Sequence, residues 1–227
     1  MSVEDQKRAA GEAAAELIEA GMTVGLGTGT TAAWFVRALA ARSLKVRGVA
    51  TSKATAALAR GLGIEVIALD AAPVIDLTID GADEIGPGLA LIKGAGAALL
   101  REKLVWQASR RCVVIADASK RVARLGAFPL PIEVVAFGHA TTAARIHQAL
   151  RECGIDAAPV LREAARAPVV TDSGNLIYDA PCGAIEAPQT LATALKGLTG
   201  VIDHGLFLGL ADRALIATDA GVTALDA

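Results

Sequence analysis

Short aliphatic segments alternate with helix-like segments along the first half of the chain, and this alternation limits the possible folds more than any other feature. The predicted strands there are Thr23–Leu26, Val46–Ala50, Glu65–Leu69, Val74–Asp80, Leu89–Ile92 and Cys112–Ala116. The predicted helices are Ser2–Ala20, Ala32–Ala41, Ser52–Gly61 and Ala97–Ala108. Strands that alternate with helices predict βαβ units and a mostly parallel sheet flanked by helices, a Rossmann-like α/β fold. Aromatic residues make up only 3% of the chain, and an aliphatic core suits such a sheet.

The pattern changes at the Phe-Pro-Leu-Pro segment 128–131, after which strands and helices follow a different order. The predicted elements are strand 132–137, helix 141–153, strands 157–162 and 169–178, helix 188–198 and strand 201–208. That β-α-β-β-α-β order is a split βαβ unit. The final apolar run, 214–218, is predicted to return to the first sheet. The sequence thus predicts a catalytic α/β domain of residues 1–128 and 207–227, with a small inserted α+β domain of residues 129–206.

Charge and composition exclude several classes of protein. The formal net charge is −2 without a long basic block, whereas nucleic-acid binding needs a concentrated basic face. No apolar stretch reaches the roughly 18 to 20 residues of a membrane span, and the polar N-terminus does not resemble a signal peptide. The three cysteines lack CxxC pairing, which favours reduced thiols. We therefore expect a cytoplasmic protein.

A glycine-rich loop at residues 25–31 joins the first strand to the next helix. Such a loop at a helix N-terminus offers N–H groups and a favourable dipole to an anion, here from Thr28, Gly29, Thr30 and Thr31. A dinucleotide fingerprint would need glycine at position 30, and no Gly-Lys-[Ser/Thr] of a P-loop follows. The loop therefore favours a compact phosphate monoester. The alternative is a tight βα turn that needs glycine for geometry alone.

An acidic turn follows the predicted strand 74–80. Asp80 ends the strand, and Gly81, Ala82 and Asp83 come next. Ligands bind at the carboxyl ends of strands in open α/β sheets, so the two carboxylates could manage hydroxyl protons. Two alternatives are a turn whose acids satisfy loop amides and a divalent-cation site. No histidine lies near an acidic motif in sequence, and we predict no metal.

The segment from Lys93 to Glu102 reads as a strand end, a small-residue loop and a helix. Lys93 and the amides of Gly94, Ala95 and Gly96 could stabilise an oxyanion. Glu102 shares a helix face with Leu99, where desolvation would raise its pKa toward the range of a general base. The alternative is that Glu102 is a solvated helix residue between two basic neighbours.

The ordered set of motifs resembles the type A ribose-5-phosphate isomerases over nearly the whole chain. The motifs that carry this resemblance are Gly-Leu-Gly-Thr-Gly-Thr-Thr-Ala (25–32), Asp-Gly-Ala-Asp-Glu (80–84), Lys-Gly-Ala-Gly-Ala (93–97), Arg-Glu-Lys (101–103), Ala-Asp-Ala-Ser-Lys (116–120), Pro-Leu-Pro-Ile-Glu-Val (129–134) and Thr-Asp-Ser-Gly-Asn (171–175). The resemblance implies interconversion of ribose 5-phosphate and ribulose 5-phosphate in the pentose phosphate pathway, without metal or cofactor.

The same resemblance implies roles for individual residues. Glu102 would move the proton between C1 and C2, Asp80 and Asp83 would bind sugar hydroxyls and assist ring opening, and Lys93 with the amides of 94–96 would support the enediolate. The acidic turn would also contribute Gly81 and Ala82 to substrate binding.

For the phosphate end of the substrate, the resemblance implies binding by residues 28–31, with help from Lys120 and Lys7. The small domain is associated with oligomer contacts, and the family is usually a homodimer. The chain departs from the family where Ala95 and Ala97 replace frequent glycines. A side chain at position 95 would be awkward if its φ were positive.

Two other functions fit a similar scaffold. A sugar-phosphate-sensing regulator would carry a DNA-binding segment, but only about twenty residues precede the first predicted strand. A regulator would also have no need of Glu102 or Lys93. A related sugar-phosphate lactonase or deaminase is the other alternative.

Overall fold

The computed structural model describes residues 1–72 and 74–227. Its α-helices are α1 (Val3–Ala15), α2 (Thr30–Ala41), α3 (Lys53–Gly61), α4 (Leu99–Gln107), α5 (His139–Glu152) and α6 (Pro188–Lys196). A capping box begins α1, because Ser2 and Asp5 each accept a hydrogen bond from the other's backbone N–H. The helix ends at Ala15, five residues before the predicted end, where the hydrogen bonds change to the i→i−3 pattern.

The strands are numbered in chain order. They are β1 (Thr23–Leu26), β2 (Arg47–Ala50), β3 (Glu65–Val66), β4 (Leu77–Gly81), β5 (Glu84–Ile85), β6 (Leu91–Ile92), β7 (Cys112–Asp117), β8 (Leu130–Val134), β9 (Val160–Leu161), β10 (Glu163–Ala164), β11 (Ala167–Pro168), β12 (Leu176–Ala180), β13 (Val201–His204), β14 (Leu206–Phe207), β15 (Arg213–Thr218) and β16 (Gly221–Asp226). Among the described residues, strands 65–69 and 157–162 are shorter than predicted, and β16 was not predicted at all. β16 is largely exposed, so it lacks the aliphatic pattern of a buried strand.

The chain forms two compact units, of which the first comprises residues 1–82, 101–121 and 209–227. Its sheet has the strand order β16-β15-β7-β4-β1-β2-β3. Every neighbouring pair is parallel except the β15–β16 hairpin. Apolar side chains of α1 and α2 pack with those of β1, β4 and β7 in one core. This arrangement confirms the predicted parallel α/β fold and aligns the ends of β1, β4 and β7 at one edge.

The second unit comprises residues 83–100 and 122–208. It contains an antiparallel sheet of order β13-β8-β12-β9 and a smaller sheet of order β14-β6-β5. Helices α5 and α6 contribute to its core. The predicted β-α-β-β-α-β order is present, with the β10–β11 hairpin inserted before its third strand.

The boundary between the units differs from the one predicted at residue 128. Ile92 pairs with Leu206, and Leu125 belongs to the core of the second unit. The buried carboxylate of Glu84 also accepts hydrogen bonds from the backbone N–H groups of Gly126 and Phe128. These contacts draw residues 83–100 and 122–128 into the second unit. The roles expected for the two domains, catalysis and oligomer contacts, stay predictions.

None of the helices in the part of the chain that the structure describes is long and apolar enough to cross a membrane.

Candidate active site

Two glycines of the predicted phosphate loop are required by the close approach of β1 to β4. A Cβ added to Gly25 would lie 1.8 Å from the Thr78 hydroxyl oxygen, and one added to Gly27 would lie 2.2 Å from Asp80 Oδ1. Gly27 N–H also donates to the Ile79 carbonyl at 2.9 Å. For these two positions, the interpretation as glycines needed for geometry is therefore right.

The third glycine of the loop begins a helix. Gly29 has φ 109° and ψ 179° at the N-cap of α2, and it is exposed. Thr30 and Thr31, the first residues of α2, are exposed and half-buried respectively. The first N–H groups of a helix have no intrahelical acceptor and carry the positive end of its dipole. The anion-binding capacity of the loop therefore lies at residues 29–31.

Thr28 has a different position from its neighbours. Its N–H donates to Asp80 Oδ1 at 3.0 Å, and its hydroxyl lies 2.7 Å from that of Thr51 and 3.3 Å from that of Thr55. Both of those hydroxyls donate to backbone carbonyls, so the Thr28 hydroxyl is the donor toward them. Because a hydroxyl has one proton, Thr28 fits a role in holding the loop better than donation to a ligand.

Asp80 lies at the end of β4 and is fully buried. Its Oδ1 accepts from the N–H groups of Thr28 and Gly81, at 3.0 and 2.8 Å. Its Oδ2 accepts from the indole N–H of Trp106 at 3.3 Å. Both carboxylate oxygens are therefore engaged with donors of the first unit.

Glu102 lies in the first turn of α4 and is 4% exposed, and Lys103 is 8% exposed. The interpretation of Glu102 as a solvated helix residue is therefore wrong, and its burial agrees with the expected apolar face. Trp106 lies four residues further on, so it shares the helix face of Glu102. A carboxylate in the first turn is favoured by the helix dipole, while burial favours its protonated form.

Asp83, Lys93 and the loop of residues 94–96 come together in the second unit. The Asp83 N–H donates to the Ile92 carbonyl at 2.8 Å, and Asp83 Oδ2 accepts from the Ala95 N–H at 2.9 Å. Lys93 is 2% exposed, and its ammonium lies 5.5 Å from the centre of the Phe207 ring. The Ala95 amide is therefore directed to a carboxylate, which differs from its expected role as an oxyanion donor.

The φ angles of this loop show whether Ala95 and Ala97 are strained where the family often has glycine. Ala95 is absent from the described non-glycine residues with positive φ, whereas Ala97 has φ 57°. Positive φ in this loop therefore lies at Gly94, with φ 118°, and at Ala97, so the side chain at position 95 is not strained in this way. This conformation also delays the start of α4 to Leu99, two residues after the predicted start at Ala97.

Arg162, which follows β9, was not predicted from the sequence to belong to the site. Its guanidinium donates to the carbonyls of Gly94 and Ala95, at 2.8 and 3.1 Å, and pairs with the carboxylate of Asp179. An arginine distant in sequence from the loop gave no motif that could have revealed this contact.

Lys120 ends a short 3₁₀ turn, Ala118–Lys120, that follows β7. The Asp117 carboxylate accepts from the Ser119 N–H at 3.0 Å, and the Gln6 side chain of α1 accepts from the Ala118 N–H at 3.2 Å. Lys7 is the next residue of α1 and forms an ion pair with Glu4, N to O 3.7 Å. Asp117 thus caps the turn, while Gln6 ties it to α1, a connection that the sequence positions did not reveal.

Among the described residues, no group of three or more histidine, cysteine, aspartate or glutamate side chains could hold a metal ion. A cavity of about 530 Å³ opens where β1 and β2 begin, at the edge opposite the predicted chemistry, and contains none of the predicted site residues. A second cavity, of about 460 Å³, lies beside α3 and α4 and includes Arg101, the neighbour of Glu102.

Comparison with known proteins gives a consistent family. A family model described as ribose 5-phosphate isomerase A (phosphoriboisomerase A) matches residues 47–221. The ribose-5-phosphate isomerase A of Caulobacter vibrioides (strain NA1000 / CB15N) is 68% identical over 226 residues, which cover 99% of each chain.

Solved structures agree over the same length. A D-ribose-5-phosphate isomerase in complex with phospho-erythronic acid has a TM-score of 0.93 and 36% identity, with all of both chains covered. The ribose 5 phosphate isomerase A of Neisseria gonorrhoeae has a TM-score of 0.91 and 34% identity, covering 99% of this chain and 97% of that one. The similarity extends across both units.

Proposed function

We propose that this chain, which belongs to the ribose 5-phosphate isomerase A family, interconverts D-ribose 5-phosphate and D-ribulose 5-phosphate through an enediolate, with Glu102 as general base. The family match and the identity to named relatives make the chain an isomerase of this class. The burial of Glu102 carries the mechanistic proposal, because it excludes the alternative that this residue is a solvated helix residue.

Glu102 would take the proton from C2 of the open-chain aldose, while the electrons of the C–H bond form the C1–C2 double bond and the carbonyl oxygen becomes an oxyanion. A proton then passes from the C2 hydroxyl to the C1 oxygen, and return of the first proton from Glu102 to C1 gives the ketose with its carbonyl at C2. A general base works best when its pKa lies near the working pH, and removal of a carboxylate from water raises its pKa in that direction.

Lys93 and Asp83 have the two other roles in this mechanism, at the enediolate oxygen and at a sugar hydroxyl. The buried ammonium of Lys93 would stabilise the enediolate oxygen. Asp83 is half-buried, and its Oδ2 is bonded to the Ala95 amide, which orients the carboxylate for a sugar hydroxyl. Asp80 is fully buried against N–H donors, so we assign it to the positioning of Thr28 and Trp106 rather than to contact with the sugar.

The phosphate group would bind at the N-terminus of α2, at Gly29, Thr30 and Thr31, with Lys120 and Lys7 as cationic partners. A phosphate at a helix N-terminus gains from both the N–H groups and the dipole. We further propose a metal-independent, cytoplasmic homodimer that acts in the non-oxidative pentose phosphate pathway. These properties rest on the family resemblance.

The decisive experiment follows ribulose 5-phosphate formation from ribose 5-phosphate with the purified protein and its Glu102→Gln variant. We expect wild-type turnover, and a loss of at least a hundredfold in kcat in the variant, since general-base catalysis contributes about 10²–10⁴-fold. Glu12→Gln, on the exposed face of α1, is the matched control and should turn over normally.

Near-normal turnover of Glu102→Gln would remove Glu102 from the mechanism. Binding of ribose 5-phosphate without turnover by the wild type would instead indicate a sensing protein. A parallel assay after exhaustive chelation should retain full activity; loss that Mg²⁺ restores would contradict the metal-independent mechanism.

A further inference from the structure

A distant arginine donates hydrogen bonds to the loop after Lys93. Arg162 Nη1 donates to the carbonyl oxygens of both Gly94 and Ala95, at 2.8 and 3.1 Å. Two consecutive carbonyls thus point to the same guanidinium. All three residues of this contact belong to the second unit.

In a trans peptide, the N–H of one residue points opposite to the carbonyl of the residue before it. The described peptide bonds are all trans. Because the Gly94 carbonyl faces Arg162, the Ala95 N–H must face the other way, and it does so by donating to Asp83 Oδ2 at 2.9 Å. By the same rule, the Ala95 carbonyl directs the Gly96 N–H away from Arg162. The Gly94 carbonyl also accepts from the Ala97 N–H at 3.1 Å, so Arg162 and this turn together fix the direction of the amides in the loop.

Arg162 is itself held in place. Its Nε donates to Asp179 Oδ2 at 2.8 Å, and its Nη2 donates to Asp179 Oδ1, which forms a two-point ion pair. Its backbone N–H donates to the Ile177 carbonyl at 2.8 Å, and its carbonyl accepts from the Val169 N–H at 2.9 Å. The Arg162 side chain is 15% exposed and that of Asp179 is 26% exposed. A paired arginine fork of this kind has little rotational freedom.

We propose that Arg162, oriented by Asp179, is a positioning residue that aims the Gly96 amide at the developing oxyanion and the Ala95 amide at Asp83. The inference rests on the proposed isomerase function. Oxyanion donors act only when they are preorganised, so a released loop would lose stabilisation of the enediolate rather than of the bound substrate.

The proposal is tested with Arg162→Met, which keeps much of the side-chain length but removes all five N–H donors. We expect kcat for ribose 5-phosphate to fall about 10- to 100-fold, with KM changed less than threefold. A misdirected oxyanion donor costs less than complete removal of one, which costs about 10²–10³-fold. Arg162→Lys should recover part of the activity, because an ammonium can reach one carbonyl but cannot form the fork.

A matched control is Arg124→Met, which removes an exposed arginine that pairs with Glu186 in the same unit. Its kcat should equal that of the wild type. An unchanged kcat in Arg162→Met, or an increase confined to KM, would overturn the proposal.

Binding measurements test the positioning role of Arg162 separately from the isomerase activity of the chain. Phospho-erythronic acid, which one of the compared isomerases binds, carries a planar carboxylate in place of the reacting carbonyl. By calorimetry, Arg162→Met should bind it at least tenfold more weakly, about 1.4 kcal/mol, while the Kd for inorganic phosphate changes less than twofold.

Equal weakening of both ligands would indicate general damage to the fold and overturn the positioning role. Should the wild type lack isomerase activity, the two affinities would still test how Arg162 orients the loop. Asp179→Asn is a second variant for the case that Arg162→Met folds poorly. It should weaken binding of phospho-erythronic acid more than binding of phosphate, and unchanged affinities would contradict the proposed role of Asp179.

Discussion

Replacement of Gly27 by alanine tests how closely the phosphate loop is joined to the acidic turn. The added Cβ would lie 2.2 Å from Asp80 Oδ1, 2.4 Å from its Cγ and 2.5 Å from its Cα. The Cα cannot move without the backbone of β4, and Asp80 is fully buried. Relief of the overlap therefore requires that β1 and β4 separate at their carboxyl ends.

The free-energy cost of Gly27→Ala has two terms. Overpacking in a close-packed interior costs about 1–3 kcal/mol. Displacement of Asp80 also weakens its hydrogen bond from the Thr28 N–H, and a hydrogen bond to a charged group contributes about 1.5–3 kcal/mol. Together these terms predict a loss of about 2.5–6 kcal/mol in the free energy of unfolding of the first unit.

The assay is urea denaturation followed by tryptophan fluorescence. Both tryptophans of the chain, Trp34 and Trp106, lie in the first unit, and the Trp106 indole donates to Asp80 itself. The matched control is Gly61→Ala at the end of α3, where an added Cβ meets no atom within 4 Å. That variant should be stabilised by about 0.5–1 kcal/mol, because alanine is the better helix former.

An unfolding free energy of Gly27→Ala within about 0.5 kcal/mol of the wild type would refute the reasoning, because the smallest term of the estimate already exceeds that value. Destabilisation of both glycine variants to the same extent would also refute it. That result would place the cause in glycine replacement as such and not in the overlap with Asp80.

Two further predictions concern the loop after Lys93 and the thiols. Ala97→Gly should raise the free energy of unfolding, measured by calorimetry, by about 0.5–1 kcal/mol. Glycine removes left-handed strain of about 1–2 kcal/mol at φ 57° and adds a smaller entropic cost. A loss of stability would contradict this prediction. Burial raises the pKa of the Cys112 thiol to about 12 and that of Cys182 to about 11, so both should be mostly neutral at pH 8. Iodoacetamide at pH 8, followed by mass spectrometry, should therefore label the native protein slowly at these two positions, and labelling of Cys112 as fast as in the unfolded chain would refute the assignment.

The parallel sheet was predictable because its strands are buried on both faces and appear as aliphatic runs. Cys112–Asp117, for example, is buried along its whole length. β16 was missed because it lies at an exposed edge, and its residues lack that pattern. The boundary at residue 128 was misplaced for a related reason. Pairing of Ile92 with Leu206 joins residues 114 positions apart (206 − 92), and periodicity along the chain carries no information about such a partner.

In the candidate site too, residues within local motifs were predictable, whereas contacts between distant segments were not. Glu102 was identified, but the sequence left open whether it is buried or solvated, because it lies on the face of Leu99 and yet has a basic neighbour on each side. Arg162 was not identified, because it acts through a loop 68 residues earlier in the chain. Residue types show which chemistry is available, while contacts between distant segments determine which groups are held and in which direction.

Asp80 joins these distant segments within the first unit. Its Oδ1 accepts from the Thr28 N–H of the phosphate loop, and its Oδ2 accepts from the Trp106 indole of α4, one turn beyond Glu102. One carboxylate therefore connects the segment proposed to bind phosphate with the helix that carries the proposed base. Asparagine has a similar shape, but its amide would place an N–H₂ group against either the Trp106 indole N–H or the Thr28 N–H. Only a side chain with two acceptor oxygens can satisfy both donors, which explains why an aspartate is needed at position 80 even though it is buried beyond the reach of solvent.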